Sequence, residues 1–419
     1  MGNELNQELL QERQAASSLV IGIDAGGTRT RAVLATADDG RPVGEGAAGP
    51  GNALTVPLPQ LTEHLAEAIG RAVPEPVRGR VVAVAGGFAG ATDAAADEPG
   101  RRNALAALTA ALHRLGVDAG PPVIGSDIEA AFASAPGTPA EGLALVAGTG
   151  AVAMRITDRR GTVTVDGDGW LLGDDGSGFW IGRAAVRAAL RMADGRGAPT
   201  MLAEAVGREL GLPGDVLPGG GAAGGAVRRL SPDVLPGGPE GVSHDGRHEA
   251  VPSATGPTAA GARPSGPGQS GGAGAVGGQG PTGPWQPGRR PLPPHDDTPW
   301  PRPHREAYRR HLLPAVMAEA PVRLARLAPL VVAAARDAED PVALAILDEA
   351  ADQLTETVRA LEPKAGERVV ATGGLLGPDG PLTGRLEARL HALGLTLDWV
   401  PDGCRGAVAL ARLAHGGRT

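Results

Sequence analysis

The order of predicted elements repeats once along this 419-residue chain, and that repetition constrains the fold more than any other feature. In each copy a buried-strand pattern leads into a glycine-containing turn, a returning strand and a third strand. Helices then alternate with strands. The first copy begins at residues 19–24 and the second at 143–147. The repeat predicts two similar α/β domains, each built on a mixed sheet.

The first copy is predicted to contain strands over 19–24, 31–36, 42–46, 81–85 and 122–126, and helices over 61–73, 104–115 and 128–134. The second copy is predicted to contain strands over 143–147, 151–156, 162–165, 368–371 and 396–400, and helices from 181 onward and over 324–361, 382–393 and 405–414. Apolar periodicity and the Gly, Pro and Asp clusters between the runs set these bounds.

The segment 213–304 interrupts the second copy. It consists mostly of Gly, Pro, Ser and Ala, a composition with too little apolar surface to offset the entropy of ordering the chain. The predicted organisation is therefore a flexible tail over 1–18, a first domain over 19–140 and a second domain over 141–419. The last of these is interrupted by a disordered insertion at 213–304.

Charge and cysteine content exclude several classes of function. A net charge of −8 argues against general binding to nucleic acid or to an anionic membrane, both of which need basic patches. The single Cys404 excludes an internal disulfide and a cluster ligated by several cysteines of one chain. The sequence has no apolar run long enough to cross a membrane, and we expect a cytoplasmic protein.

The turn after the first predicted strand has the groups that a nucleotide triphosphate needs. Gly26 and Gly27 leave their N–H groups accessible, Thr28 adds a hydroxyl and Arg29 a positive charge, while Asp24 can reach a hydrated Mg²⁺. The turn at 148–150 in the second copy has the same character without the carboxylate. Two equivalent turns on two domains predict a clamp for a phosphate chain.

A second candidate site follows the strand predicted at 162–165. The loop carries four carboxylates, one hydroxyl and two indoles, a set that could hold a polyhydroxylated ligand such as a sugar. These residues are Asp166, Asp168, Trp170, Asp174, Asp175, Ser177 and Trp180. An Asp/Gly turn with Ser177 as a helix N-cap and two core tryptophans is the alternative interpretation of the same loop.

Five segments together resemble the actin/hexokinase/Hsp70 ATPase superfamily and, within it, the N-acetylglucosamine kinase branch of the BadF/BadG/BcrA/BcrD-type ATPase family. In chain order they are IGIDAGGTRT, GSDIEAAFA, LVAGTGAVA, GWLLGDDGSGFWIGR and VVATGGLL. The resemblance implies two ribonuclease H-like domains of the actin/hexokinase type, with mixed sheets around a central cleft. It also implies a kinase that uses ATP and Mg²⁺ and phosphorylates a small amino sugar, with a homodimer as one alternative for the assembly.

The resemblance also implies a role for each matching residue. Asp127 is the catalytic base that accepts the proton of the sugar 6-hydroxyl, Asp174 binds sugar hydroxyls, and Asp24 acts through Mg²⁺. The remaining sugar-pocket residues are Asn52, Thr149, Gly169 and Trp170. The nucleotide is held by Gly26, Gly27, Thr28, Arg29, Gly148, Thr149, Gly150, Gly373 and Gly374.

Alternatives remain at the level of single residues and of function. Asp127 could be the N-cap of the helix over 128–134, and Glu129 is expected to be a solvated residue in the first turn of that helix. The acceptor could be glucosamine or another hexose. The chain could also be an activator or regulatory ATPase without a sugar acceptor.

Overall fold

The computed structural model describes residues 18–91, 98–219 and 300–416. The strands are β1 Leu19–Ala25, β2 Thr30–Thr36, β3 Pro42–Ala48, β4 Val81–Phe88, β5 Val123–Ser126, β6 Gly142–Ala147, β7 Ala151–Thr157, β8 Arg160–Asp166, β9 Arg368–Thr372 and β10 Thr396–Trp399. The helices are α1 Leu58–Ala72, α2 Pro99–Leu115, α3 Asp127–Ala133, α4 Gly169–Leu172, α5 Gly178–Ala193, α6 Leu202–Glu209, α7 Arg302–Met317, α8 Ala328–Asp337, α9 Pro341–Arg359, α10 Thr383–Ala392 and α11 Cys404–Gly416. Short 3₁₀ segments occupy Glu75–Arg80, Gly214–Val216 and Pro321–Leu327.

The first sheet has the strand order β3-β2-β1-β4-β5. β1, β2 and β3 pair antiparallel, whereas β4 and β5 continue the sheet parallel to β1. The register places Ala25 opposite Thr30 and Phe88, and Phe88 opposite Ser126. The segments that follow β1, β4 and β5 therefore leave the sheet at the same edge, which we call the first edge.

The second sheet has the order β10-β9-β6-β7-β8 and the same mixture of pairings. β6 pairs antiparallel with β7 and parallel with β9, and β7 pairs antiparallel with β8. Val146 lies opposite Thr372, and Val152 lies opposite Asp166. The second edge is thus formed by the ends of β6, β8 and β9 and by the start of β7. The fold is mixed α/β with two five-stranded mixed sheets, as predicted.

Helices cover both faces of the first sheet, which explains why β1 is a continuous apolar run rather than an alternating one. On one face Ile21 and Ile23 pack with Leu65 of α1 and Leu108 of α2. On the other face Val20 belongs to a buried cluster that includes residues of α11. The second sheet has its own core, in which strand residues pack with α5, α8 and α9.

Two helices join the sheets. Phe132 of α3 is buried in a cluster with residues of the second sheet, while Val408 of α11 is buried against the first sheet. The hydroxyl of Ser134, at the end of α3, donates to the Asp402 carbonyl at 2.9 Å and accepts from the Gly406 N–H at 2.7 Å. The end of α3 is therefore held between the two sheets, and Asp127 lies at the start of the same helix.

The structure corrects the predicted bounds of the insertion at both ends. Residues 213–219 and 300–304 lie within the described part of the chain, and there Val216, Leu217 and Trp300 are buried in the second core. The Trp300 indole N–H donates to the Val216 carbonyl at 2.9 Å, and α7 begins at Arg302. Buried apolar residues therefore anchor both ends of the predicted insertion, although the sequence around them is rich in Pro. The rest of the predicted insertion, and most of the predicted tail over 1–18, lie outside the described residues.

Two other features were not expected from the sequence. The helix predicted over 324–361 is a 3₁₀ segment followed by α8 and α9, because Glu339 has a φ of 48° and Pro341 begins a new helix capped by Asp340. In addition α11, assigned to the second domain, covers the first sheet. The division into domains at residue 140 stays a proposal, and in that division α11 belongs with the first sheet.

Among the described helices, none is long and apolar enough to cross a membrane.

Candidate active site

Two carboxylates lie together at the first edge. Asp24 is the penultimate residue of β1, and Asp127 begins α3 directly after β5. Burial and, after it, the nearby negative charges of Asp127 and Asp402 raise the pKa of Asp24 to about 6. The Gly403 N–H, which donates to Asp24 Oδ2 at 3.3 Å, opposes this shift. Negative charge at this edge is therefore poorly compensated by the protein itself.

Asp127 has a similar environment. Burial and, to a smaller extent, the charge of Glu129 raise its pKa to about 6. The Ile128 N–H donates to Asp127 Oδ1 at 3.0 Å and acts in the opposite direction. A carboxyl group with a pKa near 6 is mostly ionised at neutral pH, yet more basic than an ordinary aspartate, which suits a general base.

The cap of α3 is Ser126, so the interpretation of Asp127 as the N-cap is wrong. The Ser126 hydroxyl accepts from the Glu129 N–H at 3.1 Å, and the Glu129 carboxylate accepts from the Ser126 N–H at 2.9 Å. This reciprocal pair is a capping box. The Asp127 carboxylate is consequently not needed to begin the helix.

Glu129 differs from its expected role as a solvated residue, since it is buried. Besides its bond within the capping box, it accepts from the Gly161 N–H of the β7–β8 hairpin at 2.8 Å. Arg160 of the same hairpin lies 3.7 Å from the Glu129 carboxylate and donates to the Ile124 carbonyl at 3.2 Å. Glu129 thus ties the helix that carries Asp127 to the second sheet.

The two glycine turns differ in how they are supported. In the first, the Gly26 N–H donates to the Arg29 carbonyl at 2.9 Å, while Gly27, Thr28 and Arg29 are exposed. In the second, the Gly148 N–H donates to the Gly150 carbonyl at 2.9 Å. The second turn is also fastened to the start of α5, because its carbonyl groups accept from the N–H groups of Gly178 and Phe179 at 2.8 and 3.1 Å.

Asp174 lies against the second turn. Its Oδ1 accepts from the Ala151 N–H at 3.0 Å, and a Cβ on Gly150 would lie 2.5 Å from the same oxygen. The pKa of Asp174 is raised, first by burial and then by the charges of Asp166 and Asp175. One carboxylate oxygen is therefore held by the main chain of the turn, and the other can accept from a ligand hydroxyl.

The predicted adenosine residues join the same group. Gly373 and Gly374 follow β9, which lies beside β6, and the Leu375 N–H donates to the Ala147 carbonyl at 3.1 Å. Because Ala147 precedes Gly148, the two glycine segments are neighbours at the second edge. Gly374 is exposed and leaves its main chain accessible.

The remaining predicted sugar residues are divided between the edges. Asn52 lies after β3 and uses its side-chain oxygen to accept from the N–H groups of Leu54 and Thr55 at 2.9 and 3.0 Å, which leaves its amide N–H groups for a ligand. Gly169 and Trp170 lie in α4 at the second edge. Trp170 is 41% exposed, so it is not a core residue, although its ring meets Phe179 edge-on at a centroid distance of 6.0 Å. Ser177 does cap α5, as the alternative interpretation predicted.

A comparison with models of known protein families identifies the family of this chain. The model of the BadF/BadG/BcrA/BcrD ATPase family matches residues 21–382, which span both edges. The chain belongs to this family.

Solved structures support the same fold. A candidate N-acetylglucosamine kinase from Chromobacterium violaceum is 19% identical with a TM-score of 0.56, and the match covers 94% of this chain and 99% of that one. Another from Porphyromonas gingivalis is 16% identical with a TM-score of 0.53, covering 95% of this chain and 99% of that one. At such identities the likeness establishes the fold. Among curated protein sequences, none matches this chain.

The ATPase family implies a metal ion, and the donor set near Asp24 fits Mg²⁺. The oxygens of Asp24 and Asp402 and the sulfur of Cys404 all lie within 4.8 Å of one another. Carboxylate oxygens are the ligands that Mg²⁺ prefers. Burial raises the pKa of the Cys404 thiol, so the sulfur stays protonated and is a poor ligand for this ion. A bound cation would compensate the charge of Asp24 more than that of Asp402, because Asp402 already pairs with Arg31.

The sequence reasoning assigned Glu129 to solvent and did not identify Asp402. Glu129 had a detectable signal, because Ser126 and Glu129 have the S-x-x-E spacing of a capping box. Asp402 had none, since Arg31, with which it pairs, and Asp24, beside which it lies, are more than 350 residues away in sequence. The structure thus brings two carboxylates with raised pKa values together at the first edge and two glycine segments together at the second.

Proposed function

We propose that this chain is an ATP-dependent kinase that transfers the γ-phosphate to the 6-hydroxyl of an amino sugar, with N-acetylglucosamine as the leading acceptor. The observation that carries the proposal is Asp127, a partly buried carboxylate with its pKa raised to about 6, beside Asp24 at the first edge. Within an ATPase family, a base of this kind favours transfer to an alcohol. The fold shared with candidate N-acetylglucosamine kinases supports the choice of acceptor.

In the proposed reaction Asp127 accepts the proton of the sugar hydroxyl. The hydroxyl oxygen forms a bond to the γ-phosphorus, the bond between the γ-phosphorus and the bridging oxygen breaks, and ADP leaves. Such a reaction needs mainly positioning and compensation of the phosphate charge. Bound Mg²⁺ supplies part of that compensation, and Asp24 would hold it through water.

The second edge supplies the positioning. The N–H groups of Thr149 and Gly150 would hold phosphate oxygens opposite the first turn at 26–29, while the bond from the Gly148 N–H to the Gly150 carbonyl shapes the second turn. Gly373 with Gly374 would contact the adenosine. The free oxygen of Asp174 would accept from sugar hydroxyls. Asn52, Gly169 and Trp170 would complete the sugar pocket, in which the exposed indole offers an apolar face to C–H groups of the ring.

A phosphorylation assay with a panel of acceptors tests the proposal. N-acetylglucosamine, glucosamine, N-acetylmannosamine and glucose are each incubated with the chain, ATP and Mg²⁺, and ADP and sugar phosphate are quantified in parallel. We expect equal amounts of ADP and of sugar 6-phosphate with N-acetylglucosamine. ADP release that no sugar stimulates would instead support a regulatory or activator ATPase and would overturn the proposal.

A further inference from the structure

We propose that Asp166 is a positioning residue that sets the sugar-binding carboxylate of Asp174 and joins it to the second phosphate turn. The inference rests on the proposed function, because it concerns how the sugar site is built. Asp166 itself is the last residue of β8 and does not need to touch the sugar.

The Asp166 carboxylate organises the acidic loop through three main-chain bonds. Its Oδ1 accepts from the Gly167 N–H at 2.7 Å and from the Asp174 N–H at 2.7 Å, and its Oδ2 accepts from the Asp175 N–H at 2.9 Å. Two of these donors lie eight and nine residues away, on the far side of the loop. One side chain therefore closes the loop between β8 and α5.

The backbone of the loop depends on this closure. Asp166 and Asp174 have φ angles of 64° and 59°, in the left-handed region that residues with a side chain seldom occupy. Gly173 approaches so closely that a Cβ there would lie 2.2 Å from Asp166 Oδ1. The hydrogen bond from the Asp174 N–H thus stabilises the left-handed conformation of this residue. It thereby also fixes the direction of the Asp174 side chain.

Asp174 carries the arrangement to the phosphate turn. Its Oδ1 accepts from the Ala151 N–H at 3.0 Å, immediately after Gly150. The chain of contacts runs from Asp166 to Asp174 and then to Ala151. A shift of Asp174 would consequently affect both the sugar hydroxyl that it binds and the turn that faces the phosphates. We expect sugar binding to weaken more than phosphate binding.

Three variants separate this role from a general effect of charge. Asp166→Ala removes the acceptor of all three bonds. Asp166→Asn keeps one oxygen, which can still accept from Gly167 and Asp174, and loses the bond from Asp175. Asp168→Asn is the matched control, because Asp168 is an exposed carboxylate of the same loop that is not among the residues assigned to the sugar or to the nucleotide. It also raises the pKa of Asp174 and makes no capping bond with its side chain.

We expect Asp166→Ala to raise the KM for the best sugar by about tenfold or more, Asp166→Asn to raise it by about twofold to fivefold, and Asp168→Asn to change it by less than about twofold. The KM for ATP should rise less than the KM for the sugar in each variant. Equal effects of Asp166→Asn and Asp168→Asn would show that charge alone matters and would overturn the inference. Unchanged sugar kinetics in Asp166→Ala would overturn it as well.

Amide hydrogen exchange keeps the test independent of activity. Peptides covering 173–176 should exchange faster in Asp166→Ala than in the unmodified chain, whereas Asp168→Asn should leave them unchanged. If the unmodified chain phosphorylates no sugar, the proposed function fails while the exchange result still decides the role of Asp166. If Asp166→Ala does not fold, the comparison of Asp166→Asn with Asp168→Asn decides it.

Discussion

The two edges hold their acidic residues in different ways. At the first edge Asp24 and Asp127 are half-buried, each accepts one main-chain N–H group, and burial raises the pKa of each to about 6. At the second edge Asp166 accepts three main-chain N–H groups and Asp174 accepts one. The charge of the first-edge carboxylates therefore has little compensation, whereas the carboxylates of the second edge bind the main chain of their loop. Proton transfer and metal binding thus suit the first edge, and positioning suits the second.

The largest effect that this contrast predicts is on turnover. Asp127→Asn keeps the size of the side chain and removes the base, so kcat should fall by about 10²-fold to 10⁴-fold with sugar binding changed much less. Steady-state kinetics and direct measurement of sugar binding check both expectations. Asp118→Asn is the control, since Asp118 is exposed and lies outside the site. Near-normal turnover in Asp127→Asn would mean that another carboxylate accepts the proton.

The same substitution should make the protein more stable at neutral pH. Asp127 has a folded-state pKa raised from 3.8 to about 6, so the relative stability that its protonated form contributes is present below pH 4 and is lost as the pH rises through 6. The asparagine does not ionise. Its free energy of unfolding should exceed that of the unmodified chain by about 1 to 3 kcal/mol at pH 8 and by much less at pH 4.5. Urea unfolding at the two pH values measures this, and a gain that is the same at both would contradict the assigned pKa.

The two glycine turns provide a smaller and sharper contrast. Gly150→Ala would place a Cβ 2.5 Å from Asp174 Oδ1, whereas Gly27→Ala meets nothing within 4 Å. We expect Gly150→Ala to raise the KM for the sugar and for ATP by about tenfold, and Gly27→Ala to change either by less than about threefold. Kinetics with each substrate varied in turn distinguish the two variants. Equal losses would show that the turns are equally constrained, against the contacts described above.

The sequence predicted every strand of the described chain within a few residues, because both sheets are built from short apolar runs bounded by Gly, Pro and Asp. It did not predict α7 or the burial of Trp300. The apolar residues that anchor them lie in a Pro-rich context, where composition indicates disorder.

The candidate site was predictable to the extent that its residues lie in short motifs. Asp127 and Asp174 were identified as candidates in this way, and their roles stay proposals. The side chains that support them were harder to find. Glu129 was misassigned because solvent exposure cannot be judged from a helical position alone, and Asp402 acquires its partners only through tertiary packing.

The position of α11 has a consequence for how the protein folds during its synthesis. One face of the first sheet, including Val20 and Ala83, is covered by Val408 and Ala411 of that helix. A ribosome makes the first sheet early and α11 after almost all of the remaining described chain. During synthesis the nascent first half must therefore keep an apolar face uncovered until residues 404–416 emerge, which makes it a surface for chaperones to protect.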